Sequence, residues 1–431
     1  MYDDLRGPCS PAGRGALSCA PVELDLDFVR AWFPALDDRW ALFDNAGGSL
    51  TTQAVTAGIM EYLERYQVQL GASYALSQQA EARVRAGEAT AAELLGTSPD
   101  QTVVGPSTTV NLATLARSLA PLLSPGDEVV VTDLDHEANI GPWRALADHG
   151  AVVRTWRLDR TRATLDPAAL DALLSARTRL VAFTHCANVV GEILDVRAIV
   201  ERVRRNRADT WIVVDGVAYA PHRLVDVEAL GVDAYAVSLY KVYGPHLGAM
   251  FVRRELLEQA KGQNHYFVPE DALPYKLQPG NVTHELAAGL PGIGAYFDGV
   301  AAHHGVLGLT RRERWAGVFE LFAAHEERLA ARLLTFLDEH LRCYVIGPTV
   351  PDRAVRAPTI AFVVEGCSAS AVVPLLDERG IAVRWGHFYA KRAIDALGLA
   401  EVEGVVRVSM VHYNTLAEVD RLIEALHQTL R

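Results

Sequence analysis

The chain has 431 residues, half of them hydrophobic, enough to bury a large core and to form two or three domains. Its 41 basic and 53 acidic side chains leave a formal net charge of -12, which repels phosphate backbones and anionic lipid and argues against nucleic acid or a membrane as partner. The cysteines Cys9, Cys19, Cys186, Cys343 and Cys367 are odd in number and scattered, without the spacing of a disulfide framework or a zinc site, so a reducing cytoplasm and no metal are expected.

In chain order, residues 1–30 are rich in Gly, Pro and small side chains without periodicity and read as a loose arm; the stretch MYDDLRGPCSPAGRG lacks the basic start and apolar run of a signal peptide. From there, short apolar runs (TVVGP, DEVVVTD, RLVAFTH, TWIVVDG) alternate with helical stretches (VNLATLARSLAPLL, LDPAALDALLSAR), the pattern of βα units around a mostly parallel sheet covered on both faces. The charged helical texture of RRERWAGVFELFAAHEERLAARLLTFLDEHL then predicts a long helix, and TIAFVVEG and GVVRVSMVHY predict strands of a smaller α/β unit. The expected organisation is an arm over 1–30, a large α/β domain over 31–310 and a small C-terminal α/β domain over 311–431.

Chemistry concentrates at expected strand ends. In DAYAVSLYKVYGPHLGAMFVRR a strand closes on Ser238, Leu239, Tyr240 and Lys241 before a Gly/Pro turn. Burial there disfavours the ammonium form of Lys241 and leaves an amine able to attack an aldehyde, although a lysine whose stem packs while its amine reaches water is the competing reading. Asp215 closes the strand of WIVVDGVAYAPH, where a carboxylate can keep a pyridine nitrogen protonated or can simply cap a turn. VVGPSTTVNLATLARSL is a strand, a turn and a helix, so backbone N–H groups with the hydroxyls of Ser107 and Thr108 can cradle a phosphate, or serve as an ordinary helix cap. His136 and Asn139, and then His185 and Asn188, stand at two further strand ends, where each single His reads as a hydrogen-bonded structural residue before it reads as a ligand.

Strand-Ser-Thr-helix, then DHEANIGPW, HCANVVGE, VVDG, SLYKVYGP, RWGHFYA and VVRVSMVHYNT, resemble in their order the motif series of cysteine desulfurases and other class V aminotransferase relatives, from LFDNAGGSL at residue 42 nearly to the C-terminus. The resemblance implies a type I, aspartate-aminotransferase-like fold and the cofactor pyridoxal 5'-phosphate (PLP). It implies that Lys241 binds PLP, Asp215 pairs with the pyridine nitrogen, and His136 stacks on the ring. Ser107, Thr108 and Ser238 would hold the phosphate, with Tyr240 able to donate to it. Asn188 would lie beside the phenolic oxygen and the substrate, and Arg407, assisted by Arg384, would grip an amino-acid carboxylate. It further implies a homodimer in which LQPGNVTHE, with Asn281, lends a phosphate contact to the neighbouring subunit.

Departures concern the reaction. Tyr389 occupies the place of the loop cysteine that accepts sulfur in desulfurases, Tyr240 replaces a histidine before the lysine, Ala218 stands where a side chain would reach the phenolic oxygen, and Asn281 replaces a threonine. The expected activity is therefore a PLP lyase cleaving a Cβ substituent, a C–S bond, of cysteine or a related small amino acid. Transamination or epimerisation, with Tyr240 or Tyr389 as a second acid, is the alternative. A catalytically silent binding protein is the alternative of another class.

Overall fold

The computed structural model describes residues 23–430. The arm expected over 1–22 lies outside the described residues. The arm's last part is a correction: Leu26–Arg30 is a short helix, because the Asp25 carboxylate caps it by accepting from the Phe28 N–H and Val29 is fully buried.

The strands, in chain order, are β1 (Ala41–Leu42), β2 (Thr102–Gly105), β3 (Glu128–Thr132), β4 (Val152–Trp156), β5 (Thr178–Thr184), β6 (Trp211–Asp215), β7 (Ala234–Ser238), β8 (Gly248–Val252), β9 (Cys343–Ile346), β10 (Thr359–Val364), β11 (Ile381–Ala382), β12 (Arg384–Gly386) and β13 (Val405–Ser409). Seven form the central sheet in the order β2-β8-β7-β6-β5-β3-β4. Pairing is parallel throughout except at β8, which runs antiparallel to both neighbours. Strands such as EVVVT, WIVVD and AYAVS are buried at every position, as a sheet covered on both faces requires.

This topology decides where function can sit. The carboxyl ends of β2, β3, β5, β6 and β7 share one edge, and the segments after them carry Ser107 and Thr108, His136, Asn188, Asp215, and Ser238 through Lys241. Ligands of open α/β sheets bind at that edge.

The 29-residue helix Arg311–Glu339 leads from the large sheet to a second sheet, antiparallel, in the order β12-β13-β10-β9. The helix starts on a capping box, with Thr310 and Glu313 each bonding the other's backbone N–H. Strand β1 pairs with β11, and Asp44 bridges to Ser409. Residue 310 lies between the seven-stranded and the four-stranded sheets, but residues 41–45 pair across it with C-terminal strands; the two-residue strand β1 is too short to show periodicity. Among the described residues no helix is long and apolar enough to cross a membrane.

Candidate active site

At the carboxyl edge, Thr108, Thr109, His136, Ala138, Thr184, Cys186, Asn188, Asp215, Val217, Ala218, Ser238, Tyr240 and Lys241 line one cavity. Seven of the residues singled out from sequence meet here: Thr108, His136, Asn188, Asp215, Ser238, Tyr240 and Lys241. Each arrives through local structure. β7 ends at Ser238 and passes into a single turn, Leu239–Lys241, that aims Lys241 inward with 7% of its surface exposed. Burial, with the Arg407 charge second, lowers the Lys241 ammonium to about 8.

Asp215 is a buried carboxylate whose hydrogen-bond donor is the Val217 N–H at 2.9 Å, and burial raises it above the usual carboxylate range. Lys241 is one cation acting on this carboxylate, and a protonated ring nitrogen could be another. The His136 Nδ1 accepts from the Ala138 N–H at 3.1 Å, which leaves Nε2 to carry the ring's proton. Burial and the Lys241 charge hold this imidazole down at about 4, so it is neutral at pH 7 and presents an uncharged face to the cavity.

The Thr108 and Ser238 hydroxyls lie 2.8 Å apart beside the N-terminus of the 12-residue helix Thr108–Leu119, a place suited to a phosphate. The close approach needs Gly248, where a Cβ would stand 2.5 Å from both the Ser107 carbonyl carbon and the Thr108 nitrogen. Ser107 itself caps this helix, its Oγ accepting from the Val110 N–H at 3.2 Å, and does not line the cavity. Asn281 is exposed on the surface of this chain, also away from the cavity. Tyr240 stacks on His246, ring centroids 4.6 Å apart, at the cavity wall.

Arg407 on β13 is buried against the site. Its Nη1 donates to the Asn188 carbonyl at 3.0 Å, its Nη2 to Asp44 Oδ1 at 3.0 Å, and its carbon centre lies 3.8 Å from the Phe388 ring centroid. Arg407 Nε and Asn188 Oδ1 are buried without hydrogen-bond partners, one donor and one acceptor, and Arg407 itself does not line the cavity. Desolvation lowers the guanidinium to about 10, and it remains charged. Arg384 stands directly opposite on β12 and reaches Asp44 Oδ2 at 3.4 Å.

The loop over 386–392 lies beside the cavity, against Asn188 and the His136 ring. Phe388 and Tyr389 both hold positive φ, at 49° and 60°, where side chains other than Gly are strained. The strain is offset by cross-links to the large sheet's loops: Asn188 Nδ2 donates to the Phe388 carbonyl, the Glu137 N–H to the Tyr389 carbonyl, and Arg392 pairs twice with Glu137, all at 2.9 Å. Tyr389 is 66% exposed, with its ring 5.2 Å from that of His136.

Two conspicuous motif residues have structural roles. His185 bonds the Tyr235 hydroxyl at 2.7 Å and stacks on Tyr219, and burial drops it to about 3. His412, from RVSMVHYNT, is buried between the hydroxyls of Tyr243 and Tyr296. Sequence reasoning missed Asp44, Thr109, Thr184 and Phe388. For Asp44 the usable signal was the pair of glycines in LFDNAGGSL, since a Cβ on Gly47 would press on the Asp44 carboxylate at 3.0 Å.

The sequence model described as aminotransferase class-V matches residues 41–422. The aminotransferase-like protein FGM3 of Gibberella zeae is 40% identical over 413 residues, 94% of this chain and 98% of that protein. The cysteine desulfurase-like protein ustD of Aspergillus flavus is 30% identical, covering 97% of this chain and 94% of that protein. Among solved structures, the cysteine desulfurase CsdA (S-sulfonic acid) of Escherichia coli superposes with a TM-score of 0.79 at 27% identity, over 94% of this chain and 98% of that one.

Proposed function

Because the chain belongs to the class V aminotransferase family, cysteine desulfurase-like enzymes that depend on PLP, we propose that it is a lyase that eliminates a Cβ substituent from cysteine or a related small amino acid. The observation that carries this reading is the absence of a usable sulfur acceptor among the groups lining the cavity. Tyr389 stands at the loop position, and Cys186 is buried, with its Sγ 3.6 Å from the Gly191 carbonyl and its thiol pushed up to about 12 by burial. A thiol so raised is not a nucleophile at neutral pH.

Residues of this cavity fit PLP: Lys241 for its aldehyde, Asp215 for its ring nitrogen, Thr108 and Ser238 for its phosphate, His136 for its ring face and Asn188 Oδ1 for a donor beside it. When bound, that cofactor supplies an electron sink for charge developing at the substrate α-carbon. The chain's own residues do the rest. Arg407, through its free Nε, receives the substrate carboxylate and fixes the amino acid. Lys241, neutral above about pH 8, takes the proton from the α-carbon. The bond from Cβ to sulfur then breaks, the sulfur leaves with its electron pair and a proton, and water completes the balance, so that cysteine and water give pyruvate, ammonia and hydrogen sulfide. His136, neutral, keeps the cavity free of a second cation.

Further parts of the reading are a homodimer in the cytoplasm, with Asn281 directed at the neighbouring subunit, and no nucleic acid or membrane partner. Light scattering at micromolar concentration tests the dimer, and a mass near 46.9 kDa would overturn it. Transamination or epimerisation remains the second reading, favoured by Tyr389, whose ring stands 5.2 Å from that of His136, as a phenol able to supply a second acid. The separating experiment is the fate of L-cysteine in deuterated buffer: elimination consumes it, whereas epimerisation returns it deuterated at the α-carbon.

A further inference from the structure

Arg407 and Arg384 are cross-strand partners on β13 and β12, so two guanidinium groups stand side by side on one face of the small sheet. Like charges that close are costly unless an anion lies between them. Asp44 is that anion, with Oδ1 on Arg407 and Oδ2 on Arg384. The seat is built for it: β1 is fastened beside β13 by the Asp44–Ser409 bridge, and Gly47 leaves room where any Cβ would press on the carboxylate. Two cations with one resident carboxylate leave a single positive charge for the ligand. Nε is the one guanidinium nitrogen of the buried arginine without a hydrogen-bond partner.

We propose that Asp44 is a positioning residue that sets carboxylate selectivity: by occupying both guanidinium groups it admits one carboxylate, on Arg407, and refuses a second one on Arg384. The substrate class is then an amino acid with an uncharged side chain. This rests on the reading that Arg407 receives the substrate carboxylate. A side-chain carboxylate reaching for Arg384 would meet a half-exposed cation that Asp44 offsets at 3.4 Å, with the Asp44 charge itself beside it.

The test uses the PLP-loaded full-length enzyme, titrated with L-alanine and with L-aspartate while the cofactor's absorbance reports occupancy, to give the ratio of the two Kd values. In Asp44→Asn the preference for alanine over aspartate is expected to fall by about tenfold or more, while Asp44→Glu, which keeps the charge, retains it. An unchanged ratio in Asp44→Asn, or an equal fall in both variants, overturns the proposal. If Asp44→Asn fails to load PLP, Arg384→Gln replaces it. Removing the second cation is expected to leave the ratio within about twofold, because Asp44 already offsets that cation, and a large weakening of aspartate alone would overturn the proposal. Arg407→Leu separates the premise: full alanine binding there would remove the carboxylate site itself, whereas loss of alanine binding with an unchanged Asp44→Asn ratio would remove only the role of Asp44.

Discussion

At the scale of single residues, the site works by burying groups whose charge states then depend on one another. Lys241 is the clearest case: burial brings it from 10.5 to about 8, so its neutral fraction grows as pH rises through that value. The rate at which the apoprotein takes up PLP should therefore rise with pH and level off above about 8. Stopped-flow absorbance checks this, and an inflection near 10.5 would mean the amine is solvated. Lys241→Ala should lower turnover of cysteine by a factor of at least about 1,000, since both cofactor attachment and proton abstraction go with it. Full activity in that variant would end the mechanism. Lys241 and Asp215 were legible because strand-end motifs expose chemistry directly in sequence. Asp44 was not, because its role exists only once β1 pairs with β11 and brings residues 44 and 407 together. The free Oδ1 of Asn188 likewise depends on a rotamer that spacing does not encode, whereas the Ser107 cap was one of the two readings its Ser-Thr turn offered.

Elements explain how these residues are held. The loop over 386–392 stores backbone strain at Phe388 and Tyr389 and is fastened by the paired bonds of Arg392 with Glu137. Both partners are partly exposed, so the pair is worth only about 0.2–1 kcal/mol, and Arg392→Ala should leave the melting temperature within about 3 °C. The same change should raise KM for the amino acid several-fold and quicken proteolysis at Tyr389, because the loop bearing Phe388 packs on Arg407. Unaltered KM and cleavage would show that the latch does not govern the loop. The long helix is different in kind: Thr310→Ala removes half of its capping box and should cost about 1 kcal/mol by chemical denaturation, with kinetics unchanged. That helix was readable from its charged 3.6-residue texture. The helix expected over LDPAALDALLSAR was readable only in part, since Pro167–Asp171 is all that forms; the Ala172 N–H still bonds back to Leu170, and the chain then turns toward β5 at Thr178.

For the whole molecule, the parallel sheet gathers five strand ends at one edge, and the small antiparallel sheet closes over it with Arg407 and the Phe388–Tyr389 loop. The alternation of apolar runs and helices made the large sheet legible, and buried runs such as WIVVD left no doubt of its two-sided cover. The partnership of residues 41–45 with the C-terminal sheet needed the folded chain, because nothing local in a two-residue strand announces a partner some 340 positions away. The central claim is that this assembled site eliminates rather than desulfurates, and proton NMR of the purified, PLP-loaded enzyme with L-cysteine in deuterated buffer tests it most directly. Pyruvate accumulating as cysteine disappears is the expected result. Alanine as the product would contradict it, because sulfur would then be leaving to an acceptor despite Tyr389 at the loop and a buried Cys186.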